Sequence, residues 1–277
     1  MKASDGAAEI TRASQSNLAF AFIAMSGARR HDITTFYAFC RVVDDIADDS
    51  RRHPTTKRRE LALWRQSLRG EIANEPALAK PVRQLIATYP ITPEMLEEII
   101  TGVEMDIAIR RYATWDELRV YCHRVASAVG LVSVEIFGYK NVRCRDYAVA
   151  LGLALQITNI IRDVAKDLQA DRIYLPAQDL ARFDYSEMDL RNRVTDSRFN
   201  QLMTFEAARA ENFFAEASEL LPSEDRRSML PAAIMHSIYQ RLLERMKLDG
   251  FRLFQKEYRL NKWEKAIQVA TQLPKLI

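Results

Sequence analysis

Residues 151–174 read LGLALQITNIIRDVAKDLQADRIY. Gly152, Gln156, Asn159, Asp163 and Asp167 are spaced by four, three, four and four, so on a helix they form one line. Leu151, Leu153, Leu155, Ile157, Ile160, Ile161 and Val164 cover the remaining surface. A helix that is apolar all round belongs inside a protein. Two carboxylates inside need partners, because desolvating a charge costs several kcal/mol.

A second stretch poses the same problem. DDIADD at 44–49 places Asp44 four residues before Asp48, and Asp45 four before Asp49. Like charges at that spacing repel by roughly 0.2–0.5 kcal/mol per pair on an exposed helix. Tyr37, Arg41, Asp44 and Asp48 share one narrow face, while Phe36, Phe39, Val43, Ile46 and Ala47 fill much of the rest. One arrangement answers both puzzles. Each aspartate pair turns carboxylate oxygens toward one point, and hard divalent cations such as magnesium take oxygen ligands. Two such helices face to face would hold a magnesium cluster that attracts a further anion, most naturally a diphosphate. Arg41 and Arg162 stand beside the pairs and suit phosphate oxygens.

The rest of the chain fits an all-α domain. Helical periodicity covers 17–28, 32–49, 57–72, 77–88, 93–110, 114–137, 142–169, 197–219, 224–248 and 250–270, with no alternating strand run and no repeat. Asp32 is a candidate N-cap, Thr114 with Glu117 a capping box, and Pro90, Pro93, Pro176 and Pro222 mark breaks. A single domain over 1–277 is expected, with 1–13 as a flexible lead segment. Eight Gly and nine Pro in 277 residues are too few for a turn-rich β protein.

Forty basic and 37 acidic residues give a net charge of +3, too balanced to indicate nucleic acid. Cys40, Cys122 and Cys144 have neither a disulfide nor a zinc pattern and read as buried apolar residues in a reducing, cytoplasmic setting. The apolar run 147–161 is interrupted by Gln156, Thr158 and Asn159, and is shorter than the ~20 residues of a membrane span. RRHPTTKRR at 51–59 reads as a solvated loop, with steering of diphosphates or peripheral contact with an anionic membrane as the alternative. No Gly-rich phosphate loop occurs.

FYAFCRVVDDIADD (36–49), YCHRVASAVGLVSVEIFG (121–138) and LGLALQITNIIRDVAKDLQADRIYLP (151–176) resemble the three signature regions of the squalene/phytoene synthases. The resemblance runs from about Ser14 to about Lys265. It implies one all-α isoprenoid-synthase domain around a deep cavity, where two prenyl diphosphates meet with magnesium. One loses diphosphate to give an allylic carbocation. The double bond of the second attacks, giving a cyclopropylcarbinyl diphosphate. Some members stop there; others proceed, with or without NADPH, to squalene, dehydrosqualene or phytoene. NADPH would bind without a Rossmann fold and is not indicated by any motif.

Carried over by motif, the resemblance makes Asp44, Asp48, Asp163 and Asp167 magnesium ligands, with Asn159 a further ligand or diphosphate contact. Gln156 faces the reacting carbons, and Tyr121 stands close to the cation. Arg41, Arg162 and Tyr174 hold diphosphate, with Tyr37 on the same face as Arg41. Val125, Ala126, Val129 and Gly130 line the prenyl tunnel, although small residues also permit close helix packing. The chain departs from the pattern at SQSNLAFAF (14–22), leaving Ser14 or Ser16 and Phe22 as candidates. Tyr239 matches, and Lys256 stands where a diphosphate-binding Arg is expected.

The expected reaction is the joining of two farnesyl diphosphates to presqualene diphosphate. Phytoene, squalene or dehydrosqualene synthesis is the alternative within the family. A non-catalytic assembly factor with this fold would keep the helices and lose the metal ligands. An ordinary terpene cyclase would lack the paired QxxNIxRDxxxD and YCxxVA segments.

Overall fold

The computed structural model describes residues 21–22, 25 and 27–272. In chain order the helices are α1 (Gly27–Asp48), α2 (Pro54–Arg69), α3 (Ala79–Thr88), α4 (Pro93–Ala108) and α5 (Trp115–Cys122). A π-helical turn, His123–Ser127, joins α5 to α6 (Ala128–Phe137). Then come α7 (Arg143–Gln169), the short α8 (Ala177–Arg182) and α9 (Glu187–Arg191), α10 (Ser197–Leu220), α11 (Leu230–Leu248) and α12 (Lys262–Gln272). No β-strand occurs among the described residues; one isolated parallel bridge pairs Arg111 with Ile173.

α7 is the central element. Leu151, Leu153, Ile157, Ile160, Ile161 and Val164 are all buried, as their apolar surround requires. Each fully buried Leu or Ile contributes ~1.5–3 kcal/mol relative to exposure. α10 packs along α7, and α6, the π turn, α11 and α5 cover its other sides. α4 lies against α1, α2, the π turn and α6.

The closest approach is at Gly152. A Cβ there would lie 2.5 Å from the Ser127 Cα and 2.7 Å from the Ser127 N. Those neighbours are backbone atoms of the π turn and have no rotamer by which to yield. The turn therefore seats against a notch in α7. Ser127 locks it with a 2.9 Å bond from its hydroxyl to the Val149 carbonyl.

Several boundaries differ from the sequence expectation. α1 runs unbroken through Asp32, which caps nothing and accepts a 2.6 Å bond from the Tyr89 hydroxyl. Arg29, Arg30 and His31 resemble a loop but are exposed residues on a continuous helix. Thr114 does cap α5, accepting from the Glu117 N–H, while the Glu117 carboxylate reaches back to the Ala113 N–H.

α11 starts at Leu230 rather than 224. Asp225 is instead spent accepting the Lys140 and Asn141 N–H groups at 2.8 and 2.9 Å. Residues 250–261 are not helical: Gly250 and Phe251 take φ of 65° and 52° and turn the chain. Phe251, Leu253, Tyr258 and Leu260 then bury side chains in an irregular segment.

Trp115–Phe137 and Arg143–Gln169 are long and apolar enough to cross a membrane, but half or more of each apolar window is buried inside this bundle. Cys122 and Cys144 are buried free thiols, as expected. The basic 51–59 stretch starts α2, and its charges are largely used locally: Arg51 and Arg52 bond Asp49, and Lys57 bonds the Ala47 carbonyl. The 1–13 segment, Ser14, Ser16 and most of the expected 17–28 helix lie outside the described residues.

Candidate active site

A cavity of about 380 Å³ opens between α1, α4, α5, the π turn, α6, α7 and α11. Its wall contains Phe22, Tyr37, Arg41, Asp44, Tyr121, Val125, Ala126, Val129, Gly130, Gln156, Asn159 and Tyr239. The question left open by the small residues of 126–130 has a divided answer. Ser127 and Ala128 are buried in helix packing, while Val125, Ala126, Val129 and Gly130 face the cavity. The π turn makes this possible, since its extra residue re-aims side chains that a regular helix would stack on one face.

One end of the cavity is acidic. Arg41 bonds Asp44 and Asp45, each at 2.8 Å. Asp44 keeps 41% of its side chain accessible, open to the cavity it lines. Burial in the protein, reinforced by Asp48, pushes its pKa up to about 6. On α7, burial and then Asp163 push Asp167 up to about 7. Asp106 adds to the rise at both Asp44 and Asp167, so the two pairs share one electrostatic neighbourhood. Arg162 grips Asp163 through two bonds of 2.8 and 2.5 Å, and also reaches the Tyr239 hydroxyl. Asn159 donates weakly to Gln156 at 3.4 Å, and its own Oδ1 is buried without a donor.

These groups fit a magnesium cluster. The donors are all oxygens, as a hard cation requires. The unpartnered Asn159 Oδ1 and the repelling carboxylates are what such a cation would satisfy. Among the described residues, no three His, Cys, Asp or Glu side chains form a closed metal cage. Magnesium retains waters and takes phosphate oxygens, so an incomplete protein shell suits it.

Three residues of this site escaped the sequence reading. Asp106, on α4, is buried and lines the cavity, accepting the Tyr174 hydroxyl at 2.7 Å and the Tyr121 hydroxyl at 2.9 Å. Burial raises its pKa, against the pull of the tyrosine bonds and Arg172. Arg172 bonds Asp48 at 2.8 Å and the Asp106 carbonyl at 3.4 Å, tying the end of α7 to α1 and α4. Tyr112 stacks with Tyr174 at 6.0 Å between centroids and meets Tyr121 at 5.6 Å with the rings tilted by 40°.

Asp48, Arg162, Asp163, Asp167 and Tyr174 stand around the acidic end rather than in the cavity wall. Lys256 is not brought there: it pairs with Asp249 at 2.5 Å and covers the Tyr258 ring.

The sequence profile described as squalene/phytoene synthase matches residues 11–264. The chain belongs to the squalene/phytoene synthase family. A 15-cis-phytoene synthase from Synechocystis is 34% identical over 83% of this chain and 72% of its own length. A presqualene diphosphate synthase from Zymomonas mobilis is 31% identical over 94% of this chain and 90% of its own.

Among solved structures, a dehydrosqualene synthase superposes with a TM-score of 0.87 at 23% identity, covering 99% of this chain and 96% of that one. A squalene synthase from Alicyclobacillus acidocaldarius gives 0.78 at 26% identity, covering 90% and 94%. This squalene/phytoene synthase is therefore an all-α prenyltransferase of the head-to-head condensing type.

Proposed function

We propose that the chain joins two farnesyl diphosphates head to head and releases presqualene diphosphate, with Asp44, Asp48, Asn159, Asp163 and Asp167 as the magnesium ligands. The carrying observation is the pairing of an acidic, arginine-flanked end with a largely apolar cavity. Bound magnesium would neutralise charge on the departing diphosphate.

Arg41 and Arg162 receive the diphosphate oxygens, and Tyr37 and Tyr239 close the wall beside them. The allylic C–O bond breaks, with its electron pair leaving on diphosphate. Tyr121 and Gln156 face the resulting cation, and the aromatic face of Tyr121 stabilises positive charge without supplying water. Phe22, Val125, Ala126, Val129 and Gly130 keep the prenyl chains dry. Attack by the second double bond and loss of one proton close the cyclopropane. The second diphosphate remains on the product.

The largely apolar cavity suits prenyl chains, as the release of presqualene diphosphate requires. The near end-to-end match to a presqualene diphosphate synthase supports the same product. A second reading is phytoene synthesis from geranylgeranyl diphosphate, favoured by relatives such as the phytoene synthases of Synechocystis and Mycobacterium tuberculosis, each 34% identical.

A product assay separates them: purified chain with each diphosphate and magnesium, with and without NADPH, products resolved by mass. Presqualene diphosphate from farnesyl diphosphate, unchanged by NADPH, is the expected result. Phytoene from the longer substrate would replace this reading with the second. Squalene formed only with NADPH would extend the reaction by a reductive step.

A further inference from the structure

Asp106 is 7% exposed, and each of its two carboxylate oxygens accepts a different tyrosine hydroxyl. Those tyrosines, Tyr121 and Tyr174, stack at 5.1 Å between centroids with only 20° between their planes. Their hydroxyl oxygens lie 3.4 Å apart. A phenol has one proton to give. With both protons directed at Asp106, neither is directed into the cavity. The Tyr121 ring and its hydroxyl dipole, in the cavity wall, are thereby fixed before any charge develops. Dipoles arranged in advance stabilise a forming charge without reorganising during the reaction.

We propose that Asp106 is a positioning residue for the condensation: by accepting both hydroxyls, with Tyr174 stacked on Tyr121, it fixes Tyr121 in the cavity wall where its oxygen and ring face the allylic cation. This rests on the prenyl-condensation reading given above. It also assigns Tyr174, which stands outside the cavity wall, to holding Tyr121 in place rather than to anchoring diphosphate. A diphosphate anchor acts on substrate affinity, whereas a group that orients a cation-facing ring acts on the chemical step.

Asp106→Asn tests the inference with little change in volume. An amide offers one acceptor oxygen and a donor nitrogen, so one tyrosine must reverse its hydroxyl. The expected result, in protein with wild-type circular dichroism and melting temperature, is a kcat at least about tenfold lower with KM within about threefold. The share of substrate lost to water-captured prenyl alcohol should rise.

Tyr174→Phe is measured in parallel and should likewise lower kcat rather than raise KM. It carries the test alone should Asp106→Asn fail to fold. Wild-type kcat and product ratios in folded Asp106→Asn would overturn the proposal, as would a Tyr174→Phe effect confined to KM. The wild type is assayed first on farnesyl and geranylgeranyl diphosphates with magnesium. Inactivity of the wild type on both counts against the condensation reading, whereas an active wild type beside an equally active Asp106→Asn counts against the role of Asp106 alone.

Discussion

Asp163 lies between an arginine that holds it and a second carboxylate four residues on. The pair Asp44 and Asp48 has the same relation to Arg41, which bonds Asp44. In the proposed role as metal ligands, these groups would matter to turnover and little to the fold. Asp163→Asn or Asp44→Asn should cut kcat about 100-fold or more while leaving the helical circular dichroism unchanged. Near-normal turnover with magnesium in either variant would remove that carboxylate from the ligand set.

The raised pKa values of Asp44 and Asp167 also predict a pH dependence. Burial holds the proton on Asp167 up to about pH 7 when folded, against about 3.9 for an ordinary aspartate, so between those limits the folded chain binds more protons than the unfolded one. Metal-free stability therefore falls as pH rises through that window. Asp49 and Glu187 are held down at about 2, so their contributions change only in more acidic solution. His123 is lowered by burial and acts in the opposite sense over the upper part of the window. Comparing wild type with Asp167→Asn cancels that term. Between pH 5 and 8, without metal, the melting temperature of wild type should fall relative to the variant. A parallel pair of curves would mean that Asp167 is not strained by burial.

At the scale of elements, regular spacing in the sequence was informative only where one face of a helix did one job. The line from Gly152 to Asp167 is legible because the rest of α7 is apolar. Asp106 follows the same logic, at the position after Leu96, Ile99, Ile100 and Val103 on the buried side of α4. It was hidden among Glu94, Glu97, Glu98 and Glu104, which give that segment the look of an acidic surface helix. Arg172 belongs to a turn beyond α7, where no periodicity marks it.

Residues 250–261 failed for a different reason. Phe251, Leu253, Tyr258 and Leu260 are spaced for burial by an extended chain, yet nothing in the composition excludes a helix. The start of α12 was legible in principle: Asn261 and Glu264 exchange side-chain to backbone bonds of 2.8 and 2.9 Å, a reciprocal N-cap. Asn261→Ala should cost about 1 kcal/mol, read from denaturant unfolding. At the other extreme, Gly152→Ala puts a methyl group 2.5 Å from backbone of the π turn. Relief requires α7 and the turn to separate, which should destabilise the chain by about 1–3 kcal/mol and displace the cavity wall. An unchanged melting temperature for Gly152→Ala would show that α7 and the turn separate at little cost.

Across the whole molecule, the cavity joins surfaces that are remote in sequence: α1 and α7 bring the carboxylates, α4 brings Asp106, and the π turn and α11 bring the apolar wall. The carboxylate chemistry could be read from each helix separately. The cavity could not, because its shape depends on the π turn and on how α7 seats against it. This division of labour has a thermodynamic consequence. In the proposed reading neither magnesium nor a prenyl diphosphate would find a complete site alone, since the described residues offer the metal no closed cage and offer the diphosphate a strongly acidic approach. Each ligand supplies what the other lacks, so their binding should be coupled. A ligand present at about 100 times its Kd adds about 2.7 kcal/mol to stability. At about 2–4 °C per kcal/mol, that corresponds to a rise of roughly 5–10 °C. A non-ionisable farnesyl diphosphate analogue should raise the melting temperature by that amount with magnesium present, whereas either alone should give only a small part of it. Replacing Asp44 and Asp163 together with asparagine should abolish the extra rise in protein that retains its helical circular dichroism. Full stabilisation by the analogue without magnesium would mean that the arginines suffice for diphosphate and that the paired carboxylates serve something else.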